Sequence, residues 1–177
     1  MYDDDILDII HLNTKLIGSN MGFFDKVKAF KNSITGGAAE VDIEGDELIF
    51  GQPFTLTVVA KIGDADLKVN KVNLHIKAVE EIGGLRHEVV IEDDGQSRRH
   101  VSEVSNFENT LSFELRVADA QVLSADEVYR WEVEVELPEN AQPVYVGEYC
   151  RHYYKAQASL DAFGNDPDSG WLELEFS

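Results

Sequence analysis

The sequence predicts an all-β protein built as an antiparallel two-sheet sandwich, and three observations lead there. From Ala38 onward apolar residues recur with a period of two, as in Ala39, Val41 and Ile43 or Val72, Leu74, Ile76 and Ala78. Turn signals built from Gly, Asn and Asp separate these runs at short spacing. The apolar fraction is 44% of 177 residues, enough to fill a core without covalent staples. Half-buried strands with little helix reach a stable state by packing two sheets face to face.

The first segment stands apart from this pattern. Residues 1–20 carry Ile6, Ile9, Ile10, Leu16 and Ile17 at helical spacing, with Asp3, Asp4 and Asp5 where a helix N-terminus favours negative charge. Gly18-Ser19-Asn20 breaks the pattern before Met21. One reading is an upstream extension or added leader, with Met21 the natural start. The other is an amphipathic arm that packs on a partner or a second copy. Gly-Ser before Met resembles a join and favours the first, so a single domain is expected over 21–177.

Residues 21–34 are expected to form a short amphipathic helix. Phe23, Phe24, Val27, Phe30 and Ile34 lie on one side, Asp25, Lys26, Lys28, Lys31 and Asn32 on the other, and Gly36-Gly37 ends it. Such a helix covers an open end or edge of the sandwich. A sharper reading makes Phe23, Phe24, Val27 and Phe30 a docking face for a partner or a membrane surface.

About eight or nine strands follow. Val41 and Ile43 alternate with Glu40, Asp42 and Glu44; Phe50-Gly51-Gln52-Pro53 turns the chain; Phe54, Leu56, Val58, Ala60 and Ile62 alternate again. Gly63-Asp64-Ala65-Asp66 leads to Val69–Val79. Gly83-Gly84 reads as a hairpin-like break and Asp93-Asp94-Gly95 as a second turn. Asn109–Val117 alternates, Ser124–Glu127 reads as the start of one helical turn, and Tyr129 to Leu137 form a strand that Pro138 stops. Tyr145–Phe163 reads as one long, bent strand, followed by the turn Gly164–Gly170 and the closing Trp171, Leu172, Leu174 and Phe176.

Charge narrows the partners. Lys and Arg total 15 against 34 Asp and Glu, a formal charge of -19, which repels phosphate backbones and anionic lipids. Lys26, Lys28 and Lys31, or Arg98, Arg99 and His100, are too few to read as a nucleic-acid site. Membrane association is not favoured, a protein partner is expected, and a homo-oligomer is compatible. The single Cys150 has no partner for an internal disulfide, which suits a reducing cytoplasm. Neither a membrane-spanning run nor a signal-peptide core is legible.

Chemistry is sparse. Cys150 and His152 share a strand face, but a nucleophile also needs a group that orients its base, and none is legible. Asp161, Asn165, Asp166 and Asp168 gather around a Gly-rich turn, as calcium ligands do, yet their spacing is unlike the calcium-loop motif and Pro167 interrupts it. A tight turn held by Asx side chains is the favoured reading, with a metal-assisted enzyme using Asp161–Asp168 and His152 as the alternative. His11, His75, His87, His100 and His152 show no zinc spacing. No phosphate-binding loop, dinucleotide fingerprint or nucleophile elbow occurs, so neither a cofactor nor a catalytic activity is expected.

Met21-Gly22-Phe23-Phe24 with its short helix, followed by Gly-Gly-Ala-Ala-Glu-Val-Asp-Ile-Glu, resembles the start of bacterial sporulation-control proteins. So do Phe50–Val58, Glu132–Pro138 followed by Pro143-Val144, the strand ending at Asp161, and the turn Gly164–Trp171. The resemblance covers about 21–177 and implies an immunoglobulin-like, arrestin-like sandwich acting as a non-enzymatic interaction or regulatory scaffold. Full arrestin-like proteins carry two sandwiches in tandem. This chain has length for one, so a groove between two such domains is not expected here.

Overall fold

The computed structural model describes residues 28–30, 37–45, 47–93, 96–164 and 166–177, with the backbone alone for 28–30, 85–93 and 96–104. Nine strands occur among the described residues: β1 (Lys28–Phe30), β2 (Ala39–Gly45), β3 (Phe54–Ile62), β4 (Leu67–Asp93), β5 (Gln96–Leu123), β6 (Val128–Val135), β7 (Tyr145–Val146), β8 (Cys150–Ala162) and β9 (Leu172–Leu174). They form two antiparallel sheets. One runs β1-β2-β3-β6; the other runs β5-β4-β8-β7, with β9 also on β8.

The two-residue period decides which face each strand buries. On β2, Ala39, Val41 and Ile43 are buried while Glu40, Asp42 and Glu44 lie on the other face. Register pairs Val58 with Trp131 and Leu56 with Val133, so the apolar sets of β3 and β6 share one side. The second sheet answers with Val72, Leu74, Ile76 and Ala78 of β4 and Tyr154, Ala156, Ala158 and Leu160 of β8. Each fully buried Val, Leu or Ile contributes about 1.5–3 kcal/mol relative to exposure, so this shared interior is the main source of stability. One end is closed by aromatic edges: Phe176 meets Phe50, Phe54 and Tyr154 at centroid distances of 5.9, 5.5 and 5.5 Å.

Four expectations need correction. Of the helix expected over 21–34, the described residues are Lys28–Phe30, and they are strand: Lys28 pairs with Gly45 and Phe30 with Ile43. The free edge of β2 offers backbone partners at once, whereas a short helix must first form a costly nucleus. The rest of that helix, like residues 1–20, lies outside the described residues.

Gly83-Gly84 is not a hairpin turn. β4 runs through it, with a register shift between Ile82 and Leu85 and a positive φ of 72° at Gly84. Glycine signals a bulge as readily as a turn. The pairing of β4 with β5 continues past this point to Asp93↔Gln96.

Ser124–Glu127 is a tight turn and not the start of a helix. The Glu127 amide donates to the Ser124 carbonyl at 3.4 Å, and Asp126 takes a positive φ of 60°. Its amides are held by partners outside the turn, Ala125 N–H by Asp66 Oδ1 at 2.9 Å and Asp126 N–H by the Gly63 carbonyl at 2.8 Å.

The run Tyr145–Phe163 is two strands. β7 folds back on β8 through Gly147-Glu148-Tyr149, pairing Tyr145 with His152 and Val146 with Arg151. The Gly147 amide donates to the Cys150 carbonyl at 2.7 Å and closes the turn. A continuous β-prone composition hid this reversal, because glycine is its one local marker.

Candidate interaction surface

The two outer faces differ. That of the first sheet carries Glu40, Asp42, Glu44, Glu132 and Glu134 against Lys61 and Arg130. Arg130 forks onto Glu44 at 2.6 and 3.1 Å, and this hydrogen bond raises its pKa further. The outer face of the second sheet is richer in bases and aromatics: His75, Lys77, Arg151, Tyr153, Lys155 and Trp171. Within it Arg151 lies over the Tyr153 ring at 4.2 Å and reaches Glu81 at 2.8 Å and Glu173 at 3.4 Å.

Strand β5 borders this face. Its one sheet partner among the described residues is β4, and its other edge carries no strand among them. Residues Ser105–Thr110 are exposed, and Phe107 shows 73% of its surface.

The residues singled out in the sequence fall as follows. Phe23, Phe24 and Val27 lie outside the described residues, and Phe30 is in β1. The acidic turn is a clamp. Asp161 Oδ1 accepts from Asn70 Nδ2 at 2.9 Å, and Asp166 Oδ1 accepts from the Ala162 amide at 2.9 Å. Asp168 Oδ1 accepts from Gln157 Nε2 at 3.0 Å and from the Gly170 amide at 2.7 Å. Asn165 lies outside the described residues. Among the described residues no group of three or more His, Cys, Asp and Glu is placed to hold a metal ion.

His152 is buried, and both ring nitrogens are engaged. Nδ1–H donates to the Pro143 carbonyl at 3.0 Å, which as an acceptor fixes the proton on Nδ1 in the neutral ring. Nε2 then accepts from the Thr110 hydroxyl at 2.7 Å. The ring stacks on Tyr145 (5.9 Å, 19°) and meets Tyr154 edge-on (5.4 Å, 89°). Tyr154 O–H donates to the Gln142 carbonyl at 2.7 Å. His152 is thus a tie between β5, β8 and the loop before β7, and its nitrogens are not available to activate Cys150. The Tyr145 hydroxyl donates to Glu80, and this hydrogen bond, ahead of desolvation, pushes its pKa up to about 12.

His75, on the outer face, shares a hydrogen bond with Ser112 Oγ at 2.9 Å. Burial lowers its pKa below the ordinary 6.5, Lys77 lowers it further, and Glu114 opposes both. The unfolded chain therefore takes up this proton before the folded one does. The resulting stability contribution is whole above pH 6.5 and is lost as pH falls from there through the folded value. His75→Gln is expected to flatten the urea midpoint against pH just below 6.5, and an unchanged slope would contradict this assignment.

Two antiparallel sheets packed face to face, with no helix among the described residues, make this an all-β sandwich. Among solved structures it is similar to Spo0M, the sporulation control protein from Bacillus subtilis, with a TM-score of 0.51 and 20% identity over 80% of this chain and 50% of that one. The chain spans about half the length of that protein, and at this identity the likeness is one of fold. A family 123 glycoside hydrolase from Clostridium perfringens overlaps 74% of this chain and 22% of its own at 9% identity, with a TM-score of 0.34 that carries no argument. No protein-family model and no curated protein matches the sequence. No helix among the described residues is long and apolar enough to cross a membrane.

Proposed function

We propose that this protein is a non-enzymatic interaction or regulatory scaffold of the cytoplasm that captures an extended segment of a partner protein along the edge of β5. The observation that carries this reading is a 28-residue strand whose outer edge is unpaired among the described residues. A bare edge presents a row of N–H and C=O groups that an added strand satisfies, with neighbouring side chains supplying selectivity. Glu108, Glu114, Arg116 and Asp119 charge this edge and act against indiscriminate pairing, while Phe107 gives an apolar contact beside it. The likeness to a protein described as a sporulation control protein supports regulation over catalysis. The commitment of His152, Asp166 and Asp168 to structural hydrogen bonds supports it too. The lone, half-buried Cys150 suits a reducing compartment.

The full chain as bait in native lysate is expected to recover a stoichiometric protein partner, with Phe107→Asp weakening capture about tenfold by placing a charge at the contact. Amide exchange along β5 should slow when the partner binds. Recovery of no partner in replicate, or binding that leaves β5 exchange unchanged, would overturn the proposal.

A further inference from the structure

On the outer face of the second sheet two lysines stand directly opposite each other. Lys77 of β4 is the register partner of Lys155 of β8. Like charges in this position destabilise an antiparallel pair. The chain holds 34 acidic residues against 15 basic ones, so a carboxylate at either position is the commoner choice available to it. Local rules broken without an evident structural gain are a mark of function.

Both ammonium groups converge on one indole. Lys77 Nζ lies 4.5 Å and Lys155 Nζ 5.1 Å from the Trp171 ring centroid. His75 meets the same ring edge-on at 5.1 Å and 63°. The nearby carboxylates are engaged with other bases. Glu114 pairs with Lys71 at 3.1 Å, Glu81 with Arg151 at 2.8 Å, and Glu173, the register partner of Lys155, reaches Arg151 at 3.4 Å. Lys77 and Lys155 form no ion pair or hydrogen bond among the described residues, and with Trp171 they are half-buried and open to solvent. The ring offsets part of their repulsion, since the negative face of an indole attracts cations.

We propose that Lys77 and Lys155, gathered over Trp171, form an anchor for the carboxylate side chains of an acidic peptide segment in a partner protein. Charge complementarity selects an anion, because two unpaired ammonium groups on adjacent strands accept one carboxylate between them. The net charge of -19 opposes the approach of any anion. That opposition is screened beyond about 8–10 Å at physiological ionic strength, so the local pair decides binding at contact. The anchor lies on the face of the sheet and does not depend on capture at the β5 edge.

Hexaglutamate titrated against the full chain tests this, with free glutamate, inorganic phosphate and hexalysine as comparison arms. The readout is Trp171 emission over the constant background of Trp131, which is fully buried. Saturable binding of hexaglutamate is expected, weakened about tenfold in Lys77→Met by loss of one charge-assisted contact and abolished in the Lys77→Met, Lys155→Met double variant. Lys77→Glu is expected to abolish binding and raise the thermal midpoint by about 1–3 °C, because it turns a repulsive pair into an attractive one. Any one of several results would overturn the proposal. These are no saturable response at millimolar hexaglutamate, an equal response in the variants, or tighter binding by free glutamate, phosphate or hexalysine. A lower midpoint in Lys77→Glu would also overturn it, by making the lysine pair a structural device for seating Trp171.

Discussion

Trp131→Ala is expected to lower the stability of the domain by about 3–5 kcal/mol, and Trp131→Phe by much less. The side chain is fully buried in the first sheet and stacks on Tyr129 at 5.9 Å and 13°. Truncation to alanine removes the largest buried side chain and leaves a cavity between the sheets that close packing cannot fill. The indole also brings a polar group into that interior. Its Nε1–H finds no acceptor among the described residues. A buried donor without a partner costs about 1–3 kcal/mol, so Trp131→Phe removes volume and a penalty together. The two effects oppose, and the net loss is expected to stay within about 1–2 kcal/mol. Urea unfolding midpoints of the two variants check this. Equal losses would show that the indole N–H has an acceptor in solution.

His152→Ala is expected to cost about 2–4 kcal/mol, through a cavity and two hydrogen bonds lost at once. The ring is 1% exposed and joins Thr110, on the β4–β5 hairpin, to Pro143, on the loop before β7. Its removal strands the Pro143 carbonyl and takes the stacking partner from Tyr145. β7 spans two residues and depends on that support, so amide exchange at Tyr145 and Val146 should accelerate beyond the global change. Thr110→Val removes one of the two bonds. A double-mutant cycle with His152→Ala is expected to show coupling of about 1 kcal/mol, and additivity would rule out the tie.

Local alternation carried most of the sandwich. Val41, Ile43, Leu56, Val58, Trp131 and Val133 are legible as core because the side-chain period of a strand is two and each run is long enough to show it. Gly83-Gly84 misled because glycine marks any departure from regular pairing, and only the pairing partner distinguishes a bulge from a turn. The β7–β8 reversal was hidden for a related reason: Tyr145 and His152 belong to one β-prone run, yet they face each other across two strands. Of the acidic turn, the Asx reading was legible from Asp166 and Asp168, since those bonds are local in sequence. The hydroxyl that meets His152 Nε2 was not, because Thr110 lies 42 residues away and no short-range pattern encodes that approach. The meeting of Lys77, Lys155 and Trp171 was illegible for the same reason, being set by the β4–β8 register.

The long β4–β5 hairpin has a kinetic consequence for how the first sheet assembles. Lys61 of β3 pairs with Val128 of β6, and the whole hairpin lies between them in the chain. Asp93 and Gln96 are close in the chain, so zippering from Asp93↔Gln96 back to Leu67↔Leu123 proceeds without closing a large loop. Once zipped, the hairpin holds its two ends side by side, and β3 and β6 are separated by little more than Gly63–Asp66 and Ser124–Glu127. Loop closure for the first sheet then costs roughly 1–2 kcal/mol less than in the open chain, by the logarithmic dependence on loop length. A pairing that is remote in sequence becomes local in time, and the arm of one sheet serves as the splint on which the other is joined.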